Sequence, residues 1–131
     1  MLEVDLSDDY ANAKYISNAK SFPEKWQKKA TNFRNERALF SNLELDIPYG
    51  PSDREKMDIF YPKIGTTGVF VFIHGGYWRA FDKSSWSHLS LGALDNGFVS
   101  VIPSYRLCPE VSIAQITLDI AKCIIVIANR V

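Results

Sequence analysis

Val69-Phe70-Val71-Phe72-Ile73-His74-Gly75-Gly76-Tyr77-Trp78 is the stretch from which the fold follows. Its first five residues are all apolar and mostly β-branched or aromatic, the composition of a short strand covered on both faces. The glycine pair behind them supplies a sharp turn. A second such run, Phe98-Val99-Ser100-Val101-Ile102, is broken by one serine only. Between the two, Trp86, Leu89, Ala93 and Leu94 share one helical face. Asp82, Ser84 or Ser85 can cap the start of that helix, and Asn96-Gly97 offers a left-handed stop. Strand, helix and strand in this order predict a parallel pair joined by a right-handed crossover. Beyond Pro109, the residues Ile113, Ile116, Ile120, Ile124 and Ile127 recur at three or four, which predicts a second helix reaching Val131. The class is α/β.

Upstream the period changes. Leu43, Leu45 and Ile47 alternate with Glu44 and Asp46, and Met57, Ile59 and Tyr61 alternate with Asp58 and Phe60. The loop Tyr49-Gly50-Pro51-Ser52-Asp53 lies between them. Two half-exposed strands joined this way predict an antiparallel pair at a sheet edge. Earlier still, Ser21-Phe22-Pro23-Glu24 reads as a helix start, followed by a stripe of Trp26, Ala30, Phe33 and Arg37. The chain thus divides into a helical segment, residues 1–40, and an α/β part, residues 41–131.

Composition narrows the function. Fifteen basic and fifteen acidic residues cancel, so no electrostatic footprint for nucleic acid is expected. The acidic start, with Glu3, Asp5, Asp8 and Asp9, is the reverse of a signal peptide. The most apolar stretch, Ile113 to Val131, is interrupted by Asp119, Lys122 and Arg130 and falls short of the roughly 20 apolar residues a membrane span needs. No membrane partner and a cytoplasmic location are expected. Cys108 and Cys123 match no metal spacing and are expected to be free thiols.

The chemistry sits in His74-Gly75-Gly76-Tyr77-Trp78. In an open α/β sheet ligands bind beyond the carboxyl ends of parallel strands. Backbone amides exposed by two glycines there can meet the negative charge that builds on a carbonyl oxygen during acyl transfer. The segment resembles the His-Gly-Gly oxyanion motif of α/β-hydrolases, and its Tyr-Trp continuation is most similar to the kynurenine formamidase (arylformamidase) and esterase-like branch. Met57-Asp58-Ile59-Phe60-Tyr61-Pro62 and Pro103-Ser104-Tyr105-Arg106-Leu107 resemble the family's second strand and its loop after strand four. The resemblance covers about residues 43–131 and implies the N-terminal half of the family's sheet, with residues 1–40 as a lid or cap. It implies hydrolysis of carboxylic esters, thioesters or aryl formamides, without metal or organic cofactor. Gly76 and Tyr77 would be the backbone N–H oxyanion donors, His74 and Gly75 would structure the loop, and Tyr77 and Trp78 would wall the substrate pocket.

One departure matters. The family's nucleophile lies in a Gly-x-Ser-x-Gly elbow, followed by an acid and a histidine, and that motif occurs nowhere in these 131 residues. Ser104, with Pro103 and Tyr105 beside it and no histidine downstream, makes no triad. Cys108 next to Pro109 has no adjacent base, and His74 with His88 lacks further metal ligands. His88 reads as a surface or half-buried helix residue, Asp82 as a cap and Lys83 as a solvated charge. In the family's order, Val69–Ile73 lies between Phe98–Ile102 and a fifth strand, so without that strand an apolar edge is left unpaired. Self-association or a complementing C-terminal half is expected to cover it. The alternative is a catalytically inactive fragment, a pseudoenzyme or binding module that keeps the pocket mouth alone.

Overall fold

The computed structural model describes residues 7–130; Glu3 and Asp5 of the acidic start, and Val131, lie outside the described residues. Two short 3-10 turns, Asn12–Tyr15 and Ala19–Ser21, lead into helix α1, Phe22–Ala38. Pro23 sits in the first turn of α1, where its missing N–H is harmless. Strands β1 (Leu43–Pro48), β2 (Lys56–Phe60), β3 (Gly68–Val71) and β4 (Phe98–Pro103) form one sheet in the order β1-β2-β4-β3. The β1–β2 and β2–β4 pairs are antiparallel, and β3–β4 is parallel. This is the expected antiparallel pair followed by a parallel crossover.

Alternation along the strands builds a core on each face. Met57, Ile59, Val99 and Val101 meet Cys123 and Ile127 of helix α3, Ile113–Ala128. Phe60 and Ile102 point the other way, toward Phe33 of α1 and Leu94 of the short helix α2, Leu91–Asp95. A capping box between Ser112 and Gln115 starts α3. Burial pushes the Cys123 thiol up to about 11, as expected for an inert core cysteine.

The structure corrects four expectations. First, β2 is not half-exposed: it lies between β1 and β4, and Asp58 is buried on the α1 side. Second, Lys83 is no solvated charge, for its ammonium is 2.7 Å from carboxylate oxygens of both Asp58 and Asp46. That pairing is what lets Asp58 occupy the core. Third, Trp86, Leu89, Ala93 and Leu94 do not share one continuous helix. Lys83–Ser85 and Ser87–Ser90 are 3-10 turns, and α-helix begins only at Leu91. Arg34 takes the Ser84 carbonyl and the Ser87 hydroxyl, and Asp82 accepts from the Ser84 amide, so local polar bonds displace the helical ladder. Fourth, β3 is not covered on both sides. It is an edge strand that ends at Val71, with Val69 and Phe70 exposed, as is Ile73 just beyond it. The outer face of α3 likewise exposes Leu118, Ile124 and Ile125. Among the described residues no helix is long and apolar enough to cross a membrane.

Candidate active-site loop

The loop after β3 runs through Phe72 and Ile73 to His74, which is buried although it lies beyond the strand's end. Its ring stacks on Tyr105 with centroids 4.4 Å apart, and the Tyr105 hydroxyl donates to the His74 carbonyl at 2.6 Å. His74 Nδ1 lies 2.8 Å from the Gly75 carbonyl. A carbonyl can only accept, so this ring nitrogen carries the proton and Nε2 holds a lone pair. Nε2 is buried and unpartnered among the described residues. Burial holds the imidazole below its ordinary pKa, so it is neutral at pH 7.

Beyond His74 the backbone turns left-handed three times in succession, at Gly76 (φ 121°), Tyr77 (φ 53°) and Trp78 (φ 57°), and again at Phe81 (φ 69°). Each non-glycine residue held this way costs of order 1 kcal/mol or more, and persists only where its surroundings fix it. The Gly76 carbonyl accepts from Arg79 and Ala80 amides at 3.0 and 3.1 Å, which closes the turn. A Cβ on Gly76 would lie 2.5 Å from the Ala80 carbonyl oxygen, whereas one on Gly75 would meet nothing within 4 Å. Glycine is required at position 76 and, for space, optional at position 75. With its carbonyl turned inward, the loop leaves the Gly76 and Tyr77 N–H groups without an acceptor among the described residues.

The rest of the loop is tied to the segment after β4. Cys108 N donates to the Trp78 carbonyl at 2.8 Å, and Lys83 N donates to Ser104 Oγ at 3.0 Å. Ser104 is therefore a buried strut and not a free hydroxyl. The Tyr77 and Trp78 side chains are exposed, and the Tyr77 hydroxyl accepts from Asn12 Nδ2 at 2.8 Å. Trp26 of α1 packs on Trp86 and Phe81 at centroid distances of 4.9 and 6.0 Å, bringing the N-terminal segment against the loop's far end.

Sequence reading located His74 to Trp78 but missed what holds them. Burial alone would pull the Lys83 ammonium down, yet its bonds to Asp46 and Asp58 outweigh that and hold it above the ordinary lysine value. A β-bulge between Glu44 and Ile47, with Asp46 at φ 57°, turns the Asp46 amide onto Asp58 at 3.0 Å. Farther along, Arg106 pairs bidentately with buried Asp119 of α3 at 2.8 and 2.6 Å. Desolvation would raise the Asp119 carboxyl, but the Arg106 bonds hold it below the usual range. A polar cavity of about 330 Å³ has Arg34, Arg54, Asp58, Asp82 and Lys83 among its walls and none of Gly75 to Trp78, so it belongs to this scaffold. His88 is half-buried on its 3-10 turn. Among the described residues no three His, Cys, Asp or Glu gather as metal ligands.

No known family model matches the sequence. Kynurenine formamidases match it in part: that of Danio rerio is 31% identical over 68 residues, 50% of this chain and 23% of that protein. That of Drosophila melanogaster is 34% identical over 72 residues, 53% of this chain and 24% of that protein. A crystallised protein from Silicibacter sp. TM1040, provisionally named a thioesterase, superposes with TM-score 0.94 at 46% identity over 98% of this chain and 48% of its own. Esterase B of Lactobacillus rhamnosis superposes with TM-score 0.57 at 16% identity over 77% of this chain and 39% of its own, a likeness of fold alone. The chain spans about half of the solved relative and matches about a quarter of each of these two formamidases. Sheet order and relatives agree: the chain has the N-terminal portion of an α/β-hydrolase fold and is similar in sequence to the kynurenine formamidases and to the crystallised Silicibacter protein.

Proposed function

We propose that Gly76 and Tyr77 present their backbone N–H groups to the oxyanion formed when a carboxylic ester, thioester or aryl formamide is hydrolysed. The carrying observation is that these two adjacent amides, on a left-handed turn at the C-terminal end of a parallel strand, have no acceptor of their own among the described residues. Donors fixed in advance need no rearrangement as charge develops, and each is worth about 3 kcal/mol of transition-state stabilisation. His74 and Gly75 shape the loop, while Tyr77 and Trp78 wall the acyl or aryl pocket. The names of the relatives similar in sequence, formamidase and thioesterase, support two of these acyl classes. Residues 1–40 act as a lid, a reading supported by Asn12 on the Tyr77 hydroxyl and by the packing of Trp26.

The serine nucleophile, acid and histidine come from polypeptide beyond these residues. A strand of that polypeptide pairs with the open edge of β3, where Val69 and Phe70 are exposed; without it, copies of the chain associate along that edge. The experiment is hydrolysis of N-formylaniline, a p-nitrophenyl ester and a short acyl thioester by the chain alone and with a polypeptide carrying the second half of the fold. Turnover is expected only from the mixture. Enzyme-like turnover by the chain alone, or none from a mixture shown to assemble, overturns the reading. Sedimentation adds a second check: Phe70→Lys is expected to dissociate self-associated chain to monomer.

A further inference from the structure

Arg54 stands in the loop between β1 and β2, yet its guanidinium joins the two loops that flank the carboxyl ends of β3 and β4. Nη2 donates to the Phe81 carbonyl at 2.6 Å, and Nε donates to the Tyr105 carbonyl at 2.8 Å. Both acceptors matter to the turn between them. Phe81 is left-handed at φ 69°, and its ring stands behind Gly76, with Cδ2 placed 2.9 Å from where a Gly76 Cβ would be. Tyr105 holds His74 by its ring and its hydroxyl. Among the described residues no carboxylate forms an ion pair with Arg54, so the two carbonyls are its partners. A planar fork can hold two carbonyls in fixed directions, which a lysine ammonium on a flexible stem does not do.

We infer that Arg54 is a positioning residue of the loop: it keeps Phe81 left-handed and so sets the direction of the Gly76 and Tyr77 amides. Its value to catalysis rests on the proposed reading of those amides as oxyanion donors; its effect on the loop does not.

The test is the backbone and Cβ ¹³C chemical shifts of Tyr77, Trp78 and Phe81 in the full chain, which report the sign of φ. They are compared with those of Arg54→Ala and Arg54→Lys. Loss of the left-handed shifts at Phe81 and Tyr77 in both variants, with β2 and β4 resonances unchanged, is the expected result. Left-handed shifts retained in either variant overturn the inference. If Arg54→Ala unfolds, Arg54→Lys decides by the same criterion. Collapse of β2 and β4 in both also overturns it, because Arg54 then holds the fold and not the loop. Turnover of the complemented protein separates this inference from the reading it serves. A reorganised loop with kcat about 100-fold lower at unchanged KM supports both. A reorganised loop with unchanged kcat sinks the oxyanion reading and leaves the positioning role standing.

Discussion

Tyr105 lies flat against His74, ring centroids 4.4 Å apart, and its hydroxyl holds the His74 carbonyl at 2.6 Å. The pair fixes His74 and keeps its imidazole out of water, and a pH dependence follows. In the unfolded chain a histidine titrates near about 6.5, and in the folded chain burial holds His74 lower. Between those two values the unfolded state binds the extra proton. Stability is therefore full above about pH 6.5 and falls as the solution is acidified toward the folded pKa. His88, also lowered by burial, adds to the slope. Denaturant titrations from pH 7.5 to 5 are expected to show this decline, and a shallower one for His74→Gln. An unchanged slope in His74→Gln would contradict the assignment.

The two glycines of the motif are expected to differ. Gly76→Ala places a methyl 2.5 Å from the Ala80 carbonyl oxygen at a φ of 121°. It should cost about 2 kcal/mol or more and abolish turnover of the complemented protein. Gly75→Ala meets open space within 4 Å and should change stability by about 0.5 kcal/mol or less. Urea unfolding of the two variants checks the contrast. Equal losses would mean that the loop is not held as described.

Lys83 is the counterion of a carboxylate in the core. Lys83→Met leaves Asp58 buried without a cation, at a cost of about 3 kcal/mol, whereas Asp46 can turn to solvent. Adding Asp58→Asn to Lys83→Met should recover a large part of that loss. A double-mutant cycle by thermal or chemical unfolding measures the coupling, and strict additivity would deny it.

How far these features are legible in sequence depends on their range. Apolar runs gave β3 and β4, and the isoleucine repeat gave α3, because burial of a periodic face acts over a few residues, whereas the Ser112–Gln115 capping box emerged only in the structure. The turn at Gly76 was legible for the same reason: two glycines and a histidine after an apolar strand carry their own backbone requirement. Lys83 and Asp58 were not legible. They are 25 positions apart in the sequence, and an aspartate in an alternating strand reads as solvent-facing until the lysine that neutralises it is placed. Arg54 fails for the same cause, since its partners at Phe81 and Tyr105 come from two other loops. The helix expected around Trp86 was lost because its periodicity was readable but the claim of Arg34 on Ser84 was not.

Two backbone hydrogens, those of Gly76 and Tyr77, decide whether the loop can hold an oxyanion. A crystal structure of the chain, complemented by polypeptide bearing the nucleophile and trapped with a serine-directed phosphonate, reads this directly. The phosphoryl oxygen is predicted about 2.7–3.1 Å from the amide nitrogens of both Gly76 and Tyr77. An oxygen held by other donors, with those two amides facing away from the adduct, would contradict it.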